Sequence, residues 1–244
     1  MTETRVIISC EHASNRIPRR FHGLGLPPDL LASHIAWDPG AREIARTCAR
    51  RLRCAYHEGV YSRLLVDLNR HASNPAVFPR EAFGVRVPGN EGLTAAQRSE
   101  RLRLYHEPYR KAVIDDIETM LEGPGACLHV SIHTFTPVLA GVSRDADIGV
   151  LYDPNRTRER ELAATLKNAL RACDWTVRRN YPYRGTSDGL TTHCRGLFPA
   201  GAYLGIEIEV NGRLLPDARA ARATGRRLCA VLRDVLESEV ARPG

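Results

Sequence analysis

The chain has 244 residues, 43% of them hydrophobic and 26% charged, the balance of a globular protein with a substantial core. No apolar run approaches the roughly 18–20 residues that span a bilayer, so no membrane partner is expected. The net charge of +7 comes from arginines spread along helical stretches with acids between them, without a basic block or aromatic-interleaved stripe, so the expected partner is a small acidic substrate and no nucleic acid.

Arg5–Cys10 is a short, β-branched apolar run that reads as a buried first strand and is too short for a signal peptide. Gly40–Arg53 has helical spacing, with Ile44, Cys48 and Leu52 on one face. Leu64–Leu68 reads as a second strand, and residues 71–92, rich in Pro, Gly and Asn, as a long loop of the kind that carries function. Thr94 and Gln97 form a capping box that opens a helix to about Glu122, which Pro108 should kink or divide. Cys127–Ile132, Ile148–Tyr152 and Trp175–Arg178 read as strands, with a helix over Thr157–Ala172. A loop over Tyr181–Arg195, a strand over Tyr203–Val210 and a helix over Asp217–Val240 complete the order.

Strands that alternate with helices predict a mostly parallel sheet covered on both faces, here in one domain over residues 1–244. The seven cysteines are scattered, odd in number and free of any C-x-x-C pair, which excludes a disulfide framework and a cysteine-rich zinc site. The cytoplasm is the expected compartment, and a monomer or small homo-oligomer the expected assembly.

Ligands of an open parallel sheet bind outside the carboxyl ends of its strands. Those ends carry Glu11 and His12, then Asp67, Asn69 and Arg70, then His133 and Thr134, and finally Glu207, Glu209 and Asn211. Two histidines and a carboxylate with one open position make a catalytic zinc site, and a second carboxylate beside them serves as proton carrier. His12 and His133 fit the first requirement, Asp38 is available as third ligand, and Glu209 as base. Each also has a structural reading: a hydrogen-bonded histidine, a helix cap at Asp38, a surface acid, a turn at Asn69-Arg70. His22, His57 and His129 receive no role.

Five further segments join Ile8–Pro18 (ISCEHASNRIP): His34–Ala41 (HIAWDPGA), Tyr61–Arg70 (YSRLLVDLNR), Ser131–Pro137 (SIHTFTP), Asp147–Tyr152 (DIGVLY) and Gly205–Asn211 (GIEIEVN). Together, and in this order, they resemble the N-formylglutamate amidohydrolase family. The resemblance implies a three-layer α/β/α fold with a mostly parallel mixed central sheet, of the phosphorylase/hydrolase type, related to zinc carboxypeptidases and aspartoacylase. It implies Zn2+ as cofactor, another divalent metal being possible, and a small anionic N-acyl amino acid as substrate, foremost N-formyl-L-glutamate, with a place in histidine catabolism. A carboxypeptidase-like peptidase and a non-catalytic binding protein are the alternatives.

In those relatives a His-x-x-Glu motif gives two ligands, but position 15 here is Asn, so Asp38 replaces the missing carboxylate and Glu11 is its competitor. The implied roles are metal binding by His12, Asp38 and His133, base catalysis by Glu209 and oxyanion stabilisation by Arg63. Asn69 and Arg70 hold the α-carboxylate, as a similar segment of aspartoacylase does, and Arg184 the side-chain carboxylate.

Overall fold

The computed structural model describes residues 4–240. In chain order its elements are β1 (Thr4–Cys10), α1 (Pro28–Ala32), α2 (Ala41–Leu52), β2 (Ala55–Glu58), β3 (Glu81–Ala82), β4 (Val85–Arg86), α3 (Ala95–Arg101) and α4 (Glu107–Leu121). There follow β5 (Ala126–Phe135), β6 (Val138–Leu139), β7 (Val142–Ser143), β8 (Ile148–Leu151), α5 (Thr157–Arg171), β9 (Val177–Arg179), α6 (Leu190–Leu197), β10 (Tyr203–Asn211) and α7 (Ala218–Val240). Six strands form one sheet in the order β2-β1-β5-β10-β8-β9, parallel throughout except where β10 meets β8. The pairs β3–β4 and β6–β7 are separate small hairpins. Among the described residues no helix is long and apolar enough to cross a membrane.

The pleat divides the sheet chemically. Alternate residues of a strand face opposite sides, and in β5 Leu128, Val130 and Ile132 enter the core against α2, α5 and α7 with Ile206, Ile208 and Val210 of β10. The intervening positions, His129, Ser131 and His133 on β5 and Glu207 and Glu209 on β10, lie on the opposite side, where Val113 and Ile117 of α4 and Leu190 and Cys194 of α6 pack under Tyr203. One face therefore holds the core and the other carries buried polar groups. Because β1, β5 and β10 run parallel, the groups at their carboxyl ends meet at one edge.

Three expectations need correction. Leu64–Leu68 is not a strand; it is buried coil and turn, although Leu64, Leu65, Val66 and Leu68 are as apolar and enclosed as a strand would be. Its carbonyls are satisfied by side chains in place of a ladder: Asn90 Nδ2 donates to Leu64 O (2.7 Å) and Arg110 Nη1 to Leu68 O (3.1 Å). The second half of the expected loop 181–195 is helical, as α6, and the loop 71–92 contains the β3–β4 hairpin. Strand β2 and helix α1 have no counterpart in the sequence reading. The capping box at Thr94 forms as expected, and the helix it opens is interrupted by a wide π turn over Leu102–His106 just before Pro108, which has no N–H to continue the ladder.

Gly149 lies opposite Glu209 in the β8–β10 register. A Cβ there would overlap the Tyr181 carbonyl oxygen and lie 3.3 Å from Glu209 Cβ. Gly149→Ala is expected to destabilise the fold by about 1–3 kcal/mol, measured by denaturant unfolding; an unchanged midpoint would show that the 181–185 segment gives way freely.

Candidate metal and acid–base site

Backbone bonds bring the site together before any side chain does. Asp38 N donates to His12 O (2.9 Å), Arg63 N to Ala36 O (3.2 Å), and Thr134 Oγ1 to Pro39 O (3.1 Å). The ends of β1 and β5 are thus stitched to the 36–39 and 62–63 turns. Asp38 does not cap α2 with its side chain: the N-cap is Gly40, without a side-chain bond, and the Asp38 carboxylate turns inward.

His12, Asp38 and His133 offer ligand atoms within 4.8 Å of one another, all three residues buried. The Nδ1 atoms of both imidazoles approach Asp38 Oδ2, at 3.5 Å for His12 and 2.9 Å for His133. Each Nε2 is held from behind by another carboxylate, His12 by Asp67 Oδ1 at 2.7 Å and His133 by Glu11 Oε2 at 3.0 Å. A carboxylate behind each imidazole fixes ring orientation and raises its basicity, as in metal sites. The donor set fits a divalent ion. His12 Nδ1 is buried with no hydrogen-bond partner, an atom that a cation at this point would satisfy.

Glu11, the competing ligand, points to the far side of His133, where Ser131 Oγ (2.6 Å) and Tyr109 OH (3.1 Å) also donate to it. Asn15 donates to Leu31 O instead (3.0 Å) and takes no part in the cluster.

The electrostatics follow from this crowding. Burial alone would raise Asp38, but Arg63, His12 and His133 hold it well below the ordinary carboxylate range. Burial would lower His133, and its bonds to Asp38 and Glu11 raise it instead. Glu209 goes the other way: burial, with Asp38 and Glu207 nearby, pushes its carboxyl up to about 8 against the pull of His133 and Arg63. Its Oε2 is buried and unpartnered, whereas Thr191 Oγ1 donates to Glu207. Of the two acids, Glu209 is the one left free to exchange a proton.

A cavity of about 670 Å³ opens on these groups, and His12, Asp38, His133, Arg63, Asn69, Arg70, Arg184 and Glu209 all line it. Arg63 is partly buried, paired with Asp38 Oδ1 through Nη2, and its Nε has no partner. Arg70 donates through Nη1 to Asp188 O, and Asn69 Oδ1 accepts from Leu190 N (2.7 Å). Arg184 is exposed at the mouth. The sequence places Asp67 at a strand end without a role, and does not mark Glu11 as a support for His133. Asp67 stands within the Tyr61–Arg70 segment, but its pairing with His12 links positions 55 residues apart and has no local signal.

Below the cluster, His129 accepts and donates between Ser9 Oγ (2.7 Å) and Tyr203 OH (2.8 Å). Burial, reinforced by Arg195, His57 and His133 and opposed by Glu11, lowers its imidazole from 6.5 to about 4. The unfolded chain therefore takes up this proton first as pH falls. Stability from His129 is complete above pH 6.5 and is lost toward pH 4, by about 3 kcal/mol. Unfolding of His129→Gln between pH 7 and 4.5 should show a shallower acid loss than the parent; equal slopes would refute this.

A mixed, mostly parallel α/β sheet carries paired imidazoles, a carboxylate between them and a raised acid at its carboxyl edge, residue types that suit hydrolytic chemistry. The family model for N-formylglutamate amidohydrolase matches residues 4–215, and the chain belongs to that family. Its fold is shared by the crystal structure of gene product Atu2144 from Agrobacterium tumefaciens, at 32% identity and TM-score 0.84, covering 97% of this chain and 92% of that one. It is shared also by N-formylglutamate amidohydrolase from Ralstonia eutropha JMP134, at 19% identity and TM-score 0.70, with 98% and 94% covered. No curated protein matches the chain.

Proposed function

We propose that the protein is a zinc-dependent amidohydrolase that cleaves the amide bond of a small anionic N-acyl amino acid, foremost N-formyl-L-glutamate to formate and L-glutamate. The observation that carries this reading is the pair of buried, unpartnered atoms, His12 Nδ1 and Glu209 Oε2, on the wall of one cavity. His12, Asp38 and His133 would hold the zinc ion, which when bound lowers the pKa of water to roughly 7 and polarises a carbonyl. Glu209 takes the proton of the attacking water and delivers it to the departing amine. The Arg63 guanidinium meets the negative charge that develops on the carbonyl oxygen. Arg70 and Asn69 hold the α-carboxylate, for which a planar guanidinium is well shaped, and Arg184 reaches the side-chain carboxylate.

Release of formate and glutamate from N-formyl-L-glutamate by the zinc-loaded protein tests the reading, with loss on chelation and recovery on adding zinc. No turnover by the loaded protein would overturn it. Arg70→Ala should raise KM about 10- to 100-fold, the worth of charge-assisted hydrogen bonds, with kcat changed far less; an unaltered KM would remove Arg70 from carboxylate binding.

A further inference from the structure

The cavity lining mixes polar and apolar groups. One part is polar, with Asn69 and Arg70 tied to the 188–190 segment. Phe83, Phe135, Pro137, Tyr183 and Leu215 also line it, apolar groups for which N-formylglutamate, two carboxylates and a formamide on a short carbon chain, has little matching surface. A cavity of about 670 Å³ falls among those of roughly 300–1,000 Å³ that enclose drug-sized ligands, far more room than a formyl group needs.

Phe83 is the most telling of these residues. It occupies the tip of the β3–β4 hairpin at φ 51, followed by Gly84 at φ 81, where Gly or Asn would be relaxed and a bulky aromatic is strained. It is 47% exposed, and its ring lies edge-on to His34, a cavity residue, with centroids 5.1 Å apart. Tyr183, at 41% exposure, flanks the same cavity. A strained, half-exposed aromatic at a cavity mouth marks contact with a ligand better than it marks stability.

We propose that this apolar wall is an acyl subsite, and that the protein hydrolyses N-acyl amino acids with medium-length alkyl or aromatic acyl groups better than it hydrolyses the N-acetyl compound. The inference rests on the function proposed above: with the α-carboxylate held at Asn69 and Arg70, the acyl group lies on the other side of the scissile bond. The chemistry is ordinary hydrolysis. The amide C–N bond breaks and water oxygen forms the new C–O bond; the products are the acyl carboxylate and the protonated amino acid nitrogen.

The test is kcat/KM for glutamate release from N-acetyl-, N-butanoyl- and N-hexanoyl-L-glutamate, with N-formyl-L-glutamate alongside. Each buried methylene should add roughly fourfold, giving about fifteenfold from acetyl to butanoyl. Phe83→Ala should flatten that rise, while Val142→Ser, on the β6–β7 hairpin and outside the cavity wall, should keep it. A flat or falling series with N-formylglutamate still turned over would overturn the acyl subsite and leave the proposed function standing. No turnover of any member would overturn both. If lengthening the amino acid side chain of N-formyl substrates gave the gain instead, the wall would receive that side chain and the assignment would be wrong.

Discussion

Glu209→Gln is expected to lower kcat by about 10²- to 10⁴-fold, the usual contribution of a positioned proton carrier, with KM within a few-fold of the parent. The substitution keeps the shape of the side chain and removes only its ability to exchange a proton. Glu209 is enclosed on β10, 5% exposed, with Oε2 unpartnered. A buried carboxylate without a partner costs stability, so the variant should unfold at equal or higher denaturant than the parent. Loss of activity without loss of stability separates a proton carrier from a structural acid. Glu207→Gln is the comparison, because Thr191 already occupies that carboxylate. Equal losses in the two variants would contradict the distinct role given to Glu209.

The second large effect is expected at Asp38, whose carboxylate faces Arg63, His12 and His133 together. Asp38→Asn keeps its size and removes its charge. Metal affinity should fall by more than the 10- to 100-fold that outer partners of metal ligands are worth, and activity with it. Arg63, partly buried beside it, loses its nearest counter-charge and keeps Asp67 and Glu209, so the cost should fall below the roughly 3–5 kcal/mol of a broken, fully buried pair. Metal content after dialysis and unfolding midpoints measure the two effects separately. Asp67→Asn is the graded case, since Asp67 meets His12 at its outer nitrogen and the substitution should cost about 10- to 100-fold in metal affinity without removing a ligand. Metal affinity unchanged in Asp38→Asn would place the third ligand elsewhere.

Much of the site was legible because strands are simple objects. The alternation of Leu128, Val130 and Ile132 with His129, Ser131 and His133 assigns two faces to β5 before any contact is known, and Glu207 and Glu209 repeat the pattern on β10. Parallel order then brings their ends to one edge. What was not legible depends on long-range partners. Leu64–Leu68 has the composition of a buried strand, and side chains from distant turns and helices, Asn90, Arg101 and Arg110, let it be coil. Glu11 and Asp67 read as possible strand-end acids, while their task of holding His133 and His12 from behind arises only when β1, β5 and the 62–70 turn meet. Helix α6 was hidden in a stretch whose Gly, Pro and Thr content reads as loop.

The proposed function requires one divalent ion among His12 Nδ1, His133 Nδ1 and the Asp38 carboxylate, next to Glu209. Anomalous scattering from zinc-loaded crystals tests it most directly. One strong peak is expected among those three side chains, with Glu11 and Asp67 hydrogen-bonded to the outer imidazole nitrogens. A peak coordinated by Glu11, or placed away from both histidines, would contradict it.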